Sequence, residues 1–111
     1  MHENYDLDLF RRKAELCKTF SDPKRLIIIS ELRGGEKSVS DLVATLQVPQ
    51  AVVSRHLAIL RNRGVVMTRR KGVNIYYRLT DPKIVEACDI VHEILMEQMA
   101  RNREIAEKLT V

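Results

Sequence analysis

The chain has only two cysteines in 111 residues, Cys17 and Cys88. They are too few and too far apart for a disulfide framework, and both fall in helical patterns, so a reducing compartment is expected. No run of eighteen apolar residues occurs, which argues against a transmembrane helix. The start, Met1-His2-Glu3-Asn4-Tyr5-Asp6, has neither the basic nor the apolar region of a signal peptide, so the expected location is the cytoplasm, with no membrane partner. Catalytic equipment is missing as well: the three histidines stand in unrelated segments, and there is no nucleophile motif and no phosphate loop. Residues 1–111 suffice for one domain with a core but fall short of the volume that usually encloses an enzyme cleft. No enzyme, no catalytic residue and no cofactor is therefore expected, and the chain should act through its surface.

What is present is positive charge and one well-patterned helix. Nineteen Lys and Arg against fifteen Asp and Glu give a formal charge of +4, which suits a polyanionic partner. The stretch from Val48 to Gly64 carries Val53, Leu57 and Leu60 at spacings of four and three, with Ala51 and Ile59 on the flanks, as a helix does when it buries one face. Gln50, Ser54, Arg55, Asn62 and Arg63 fall mostly on the other side. That side has amides, a hydroxyl and guanidiniums but no carboxylate, the groups that read base edges in a major groove and pair with phosphates. Taken alone, the same segment is equally an ordinary cationic surface helix.

Its surroundings favour the first reading. Residues 5 to 20 form an amphipathic pattern with Leu9, Phe10, Ala14, Cys17 and Phe20 as the apolar stripe. Ser21 and Asp22 stop it, Pro23 opens a second helix, and Leu26, Ile27, Ile29 and Leu32 continue that helix to Arg33 before Gly34-Gly35 ends it. Ser38, three residues ahead of Asp41, predicts a capped third helix over 39–46 with Leu42, Val43 and Leu46 inward. Proline disfavours a helical conformation in the residue before it, so Gln47-Val48-Pro49 is the turn and the fourth helix starts just after. Residues 39–63 are thus a helix-turn-helix.

Residues 64–79 change period. Val65-Val66-Met67-Thr68-Arg69-Arg70-Lys71 and Ile75-Tyr76-Tyr77-Arg78-Leu79 read as two strands around a turn at Gly72-Val73-Asn74. Arg69, Arg70, Lys71 and Arg78 place four cations on this ribbon, suited to phosphate or minor-groove contact, or to discouraging edge pairing of an exposed strand. A helix-turn-helix followed by a basic hairpin is a winged helix. From Asp81 to about Leu109, Ile84, Cys88, Val91, Leu95, Gln98, Asn102, Ile105 and Leu109 keep spacings of four and three. A helix of that length spans on the order of 40 Å, more than so small a core needs. The expected fold is therefore mainly α with a small β-hairpin wing. Residues 1–20 and 81–111 supply the interface of a homodimer, and its two recognition helices meet successive major grooves of a palindromic double-stranded operator. A protein-binding winged helix without an effector site is the rival reading; it predicts an uncharged or acidic outer face on the fourth helix.

The run Phe20-Ser21-Asp22-Pro23-Lys24-Arg25-Leu26-Ile27-Ile28-Ile29, the segment Ser38-Val39-Ser40-Asp41-Leu42, the helix from Gln50 to Leu57 with Leu60-Arg61 and Gly64-Val65-Val66, and the wing from Arg70-Lys71-Gly72 to Tyr76-Tyr77-Arg78-Leu79 together resemble the ArsR/SmtB family of winged-helix repressors. The resemblance covers about residues 9 to 96. It implies a homodimeric repressor released from its operator by an inducer, often a metal ion or a thiol-reactive species. It implies further that Gln50, Ala51, Ser54, Arg55 and His56 face bases or phosphates, with Arg69, Arg70, Lys71 and Tyr76 of the wing at the flanking minor groove. Pro49 departs from the hydroxyl residue common at that place in the family. The Cys-Val-Cys of the family's arsenite and cadmium sensors is Ser38-Val39-Ser40 here, which excludes soft-metal binding at that site. Asp89 and His92 share a helix face as a minimal metal candidate, and a full shell would need Glu93, Glu97 or His2 to join them. No metal is expected there, because an Asp and a His three apart on a helix are more often simply solvated. Cys17 and Cys88 are the candidate thiol sensor; on apolar stripes they read equally as small buried hydrophobes.

Overall fold

The computed structural model describes residues 4–109. The chain divides into two compact units, one running through Thr80 and the other beginning at Asp81.

In the first unit each helix begins where its sequence supplies a cap. Helix α1, Leu7–Thr19, is capped by Asp6, whose carboxylate accepts from the Asp8 and Leu9 amides. Helix α2, Pro23–Leu32, is capped by Asp22, which accepts from Lys24 N at 2.8 Å and Arg25 N at 3.3 Å, with Pro23 at the opening position. Strand β1, Lys37–Ser38, leads directly into helix α3, Val39–Leu46. There a capping box closes: Ser38 N donates to Asp41 Oδ2 at 2.9 Å and Asp41 N donates to Ser38 Oγ at 3.2 Å. Gln47 ends α3 in the left-handed region at φ 54°, and Pro49 then leads helix α4, Gln50–Asn62, with no side-chain cap.

Strands β2, Val66–Lys71, and β3, Asn74–Leu79, form the hairpin, closed by the two residues Gly72 and Val73. Gly72 lies at φ 62°, a conformation that costs glycine little. β1 pairs antiparallel with the other side of β3, giving the sheet order β1-β3-β2. This third strand was not expected from the sequence, because two residues are too few to set a period. Thr80 fastens the base of the hairpin, its hydroxyl donating to Gly64 O at 2.7 Å.

The core is Ile28, Ile29 and Leu32 from α2, Leu42 from α3, Val53, Leu57 and Leu60 from α4, and Val65 and Val66 leading into the wing. Removing water from this much apolar surface is the main force holding α4 in place. Ile28 is fully buried, whereas Leu26 and Ile27 stand in solvent, because the inward arc of α2 is set by Ile28, Ile29 and Leu32. On α1 the whole helix up to Lys18 is exposed, including Leu7, Leu9, Phe10, Leu16 and Cys17, and only Thr19 is buried.

The second unit is helix α5, Lys83–Leu109. Asp81 accepts from Lys83 N at 2.8 Å and caps it. Its 27 residues extend about 40 Å. None is buried, and Ile90, Val91, Ile94, Leu95, Met96 and Met99 are all open to solvent.

Candidate nucleic-acid interface

Helix α4 has two distinct sides. Val53, His56, Leu57 and Leu60 are buried, the spacing of one inward arc. Gln50, Ala51, Ser54, Arg55, Ala58, Arg61 and Asn62 are exposed. Among the described residues no carboxylate lies on that outer face, and Arg55 and Arg61 have no acidic partner within ion-pair distance. The side chains of Gln50, Ser54 and Arg55 stand together as a set of donors and acceptors aimed at solvent.

His56 corrects the expectation that it belongs to that set. Its side chain is 5% exposed and lies against α2, with Nδ1 3.4 Å from Arg25 Nη1 and Nε2 4.0 Å from Asp22 Oδ1. A guanidinium can only donate, so Nδ1 accepts and the ring proton sits on Nε2, toward Asp22. Burial pushes the imidazole below its ordinary value of 6.5, and the positive charges of Arg25, Arg55 and Lys24 act in the same direction against the opposing pull of Asp22. His56 is therefore neutral at pH 7.

Arg25 is a residue that sequence reasoning did not single out. Its Nε donates to Thr19 O at 2.7 Å and its Nη2 to Lys18 O at 3.4 Å, while Nη1 reaches His56. One guanidinium thus ties the end of α1 and the start of α2 to the inner face of α4. Arg63, expected on the cationic face, instead donates to Glu15 Oε2 at 2.7 Å and joins the end of α4 to α1. Thr19, Arg25, Ile59 and Arg63, with Glu15 and Lys18, line a cleft of about 280 Å³ at this junction.

In the wing the strand register separates the cations that the sequence groups together. Arg69 is paired with Tyr76, Lys71 with Asn74 and Met67 with Arg78, so these six share one face. Arg70 is paired with Ile75, and with Thr68, Tyr77, Val66 and Leu79 it belongs to the other face, whose lower part packs toward the core. Arg70 and Lys71 are exposed at the tip with no ion-pair partner among the described residues. Arg69 is different. Its Nε donates to Glu36 Oε2 at 3.0 Å, its Nη2 donates to Glu36 Oε1, and it stands over the half-buried Tyr76 ring at 5.7 Å. Met67 is exposed on the same face as Arg69.

The remaining candidates are spread along the helices. Cys17 is an exposed thiol on α1, and Cys88 is half-buried on α5. Asp89 is half-buried and His92 exposed on α5. Among the described residues no three His, Cys, Asp or Glu side chains are gathered closely enough to hold a metal ion; His2 lies outside those residues. No described helix is long and apolar enough to cross a membrane.

The sequence model described as "Bacterial regulatory protein, arsR family" matches residues 22–68, the span from the cap of α2 into β2. The biofilm growth-associated repressor of Xylella fastidiosa is 38% identical over 85 residues, covering 77% of this chain and 75% of that protein. The chain belongs to the ArsR family. A second ArsR-type relative, the transcriptional repressor SmtB homolog of Synechocystis, is 37% identical over 95 residues, covering 86% of this chain and 72% of that protein. The crystal structure of Rv0081 from Mycobacterium tuberculosis superposes with a TM-score of 0.80 at 29% identity, covering 85% of this chain and 95% of that one. The winged helix-turn-helix built from α3, α4 and the hairpin is thus the ArsR-family architecture, and the chain is a transcriptional regulator.

Proposed function

We propose that this ArsR-family regulator is a repressor that acts by binding and not by catalysis. It works in the cytoplasm as a homodimer that lays the outer face of α4 in the major groove of a palindromic operator. The observation that carries the reading is the exposed, carboxylate-free side of α4, with Gln50, Ala51, Ser54 and Arg55 presented by a helix pinned from behind through His56 and Arg25. Arg70 and Lys71 at the wing tip supply phosphate contacts beside it. The apolar faces of α1 and α5, exposed in the single chain, are the surfaces that would pair two copies and set the half-sites about 34 Å apart. A protein-binding winged helix fits this cationic outer face less well.

Arg55→Ala is expected to weaken operator binding by about 1–3 kcal/mol, a factor of roughly 5 to 150. Arg70→Ala should weaken binding to all sequences alike. In both variants the dimer stays intact, as read by light scattering. Loss of the dimer, or undiminished DNA binding by Arg55→Ala, would contradict the placement.

The exposed thiol of Cys17 supports a further part of the reading, in which Cys17 and Cys88 sense an oxidant. Peroxide would take two electrons from two thiols, giving a disulfide and two waters. DNA release by peroxide, reversed by a dithiol and abolished in Cys88→Ser, is the expected outcome.

A further inference from the structure

The solvent face of the wing carries three cations, Arg69, Lys71 and Arg78, and the carboxylate of Glu36 is the acidic group placed among them. Glu36 comes one residue before β1, and Ser38 of that strand is in register with Tyr76, so the alternation of side chains sets Glu36 and Arg69 toward the same side of the sheet. The two residues are 33 positions apart in sequence and close through two hydrogen bonds. The hydrogen bond from Arg69 lowers the Glu36 pKa most; burial opposes it, and the charges of Arg69, Arg78 and Lys71 lower it further. Glu36 is therefore ionised at any pH at which the protein would meet DNA.

We infer that Glu36 is a built-in competitor for the DNA backbone: it occupies the guanidinium of Arg69, so that the wing meets phosphate through Arg70 and Lys71 without the charge of Arg69. For Arg69 to reach a phosphate it must leave a two-pronged carboxylate pair, and the anion left behind would face the DNA as a like charge. Glu36 thereby holds the sequence-independent part of binding down and leaves a larger share of the affinity to α4, which bears on specificity because phosphate contacts carry no sequence information. The inference rests on the reading that the wing lies against DNA.

The test is anisotropy with an operator-length duplex over 50 to 200 mM salt, using wild type, Glu36→Gln, Arg69→Ala, the double variant and Arg55→Ala. Glu36→Gln is expected to bind more tightly and to steepen the salt slope by about 1.8, the value for two additional neutralised phosphates, one for each subunit of the dimer. Its advantage over wild type then shrinks by roughly 12-fold across that range. Arg69→Ala should change little alone and should remove the gain in the Glu36→Gln background. Circular dichroism melts confirm that each variant is folded, as expected for a half-exposed pair. Weaker binding or an unchanged slope in Glu36→Gln overturns the inference, as does an Arg69→Ala defect as large as that of Arg55→Ala. If Arg55→Ala binds like wild type, the reading of α4 fails and this inference falls with it. If Arg55→Ala is impaired while Glu36→Gln matches wild type, only the role of Glu36 is lost.

Discussion

His56 lies three residues after Val53 and one before Leu57, which places it on the same inward arc of α4 as the core. That position makes a titratable ring part of the packing between α2 and α4, and folding then depends on its staying neutral. Its pKa in the folded chain is below 6.5, so in the range beneath that value the unfolded chain binds more protons and stability falls as pH falls. Asp22 works in a separate, more acidic window: desolvation would raise its carboxyl, but backbone hydrogen bonds from Lys24 and Arg25 together with nearby positive charge hold it below 3.8. Urea midpoints measured between pH 7 and 5 should therefore drop more for wild type than for His56→Gln; equal slopes would show that His56 does not carry the effect. The inward arc was legible in the sequence as the spacing of positions 53, 57 and 60, whereas His56, placed toward DNA by the family resemblance, joins that arc only in the fold. Pairings such as Arg69 with Glu36 and Arg63 with Glu15 were not legible, because they join residues 33 and 48 positions apart that only the fold brings together.

Elements whose ends carry their own chemistry were the ones the sequence defined best. Helix α3 falls on residues 39–46, as expected, because Ser38 and Asp41 close a capping box and the helix stops ahead of Pro49. Strand β1 was not legible, since its two residues gain their conformation from pairing with β3 and not from any pattern of their own. In the hairpin, the count of basic residues was visible but their division between two faces follows from register, which depends on the turn closing at Gly72 and Val73. Helix α5 shows the opposite case, where the periodicity is clear but the apolar side chains it aligns stay exposed. Val91 is 65% exposed and Leu95 48% exposed, an apolar strip of the kind that marks an interaction surface. Leu95→Glu is expected to shift the protein toward monomer in sedimentation velocity while its helical circular dichroism persists. An unchanged dimer would place the interface elsewhere.

The molecule as a whole carries a net charge of +4, a modest excess whose effect depends on where it is placed. On the outer face of α4 and at the wing tip the cations stand without acidic partners among the described residues, while Arg63 and Arg69 are held by Glu15 and Glu36. Membership of the ArsR family sets the architecture, and within it the cations divide into a free set and a paired set. The most direct test of the account is the affinity of the wild-type protein for an operator-length duplex as a function of salt. Neutralisation of several phosphates by Arg55, Arg70 and Lys71 of two subunits predicts a log–log slope of about −0.9 for each phosphate contacted, hence a fall of orders of magnitude between 50 and 200 mM for six or more contacts. An affinity that stays flat over that range would contradict DNA binding through these residues and would favour a protein partner for the same face.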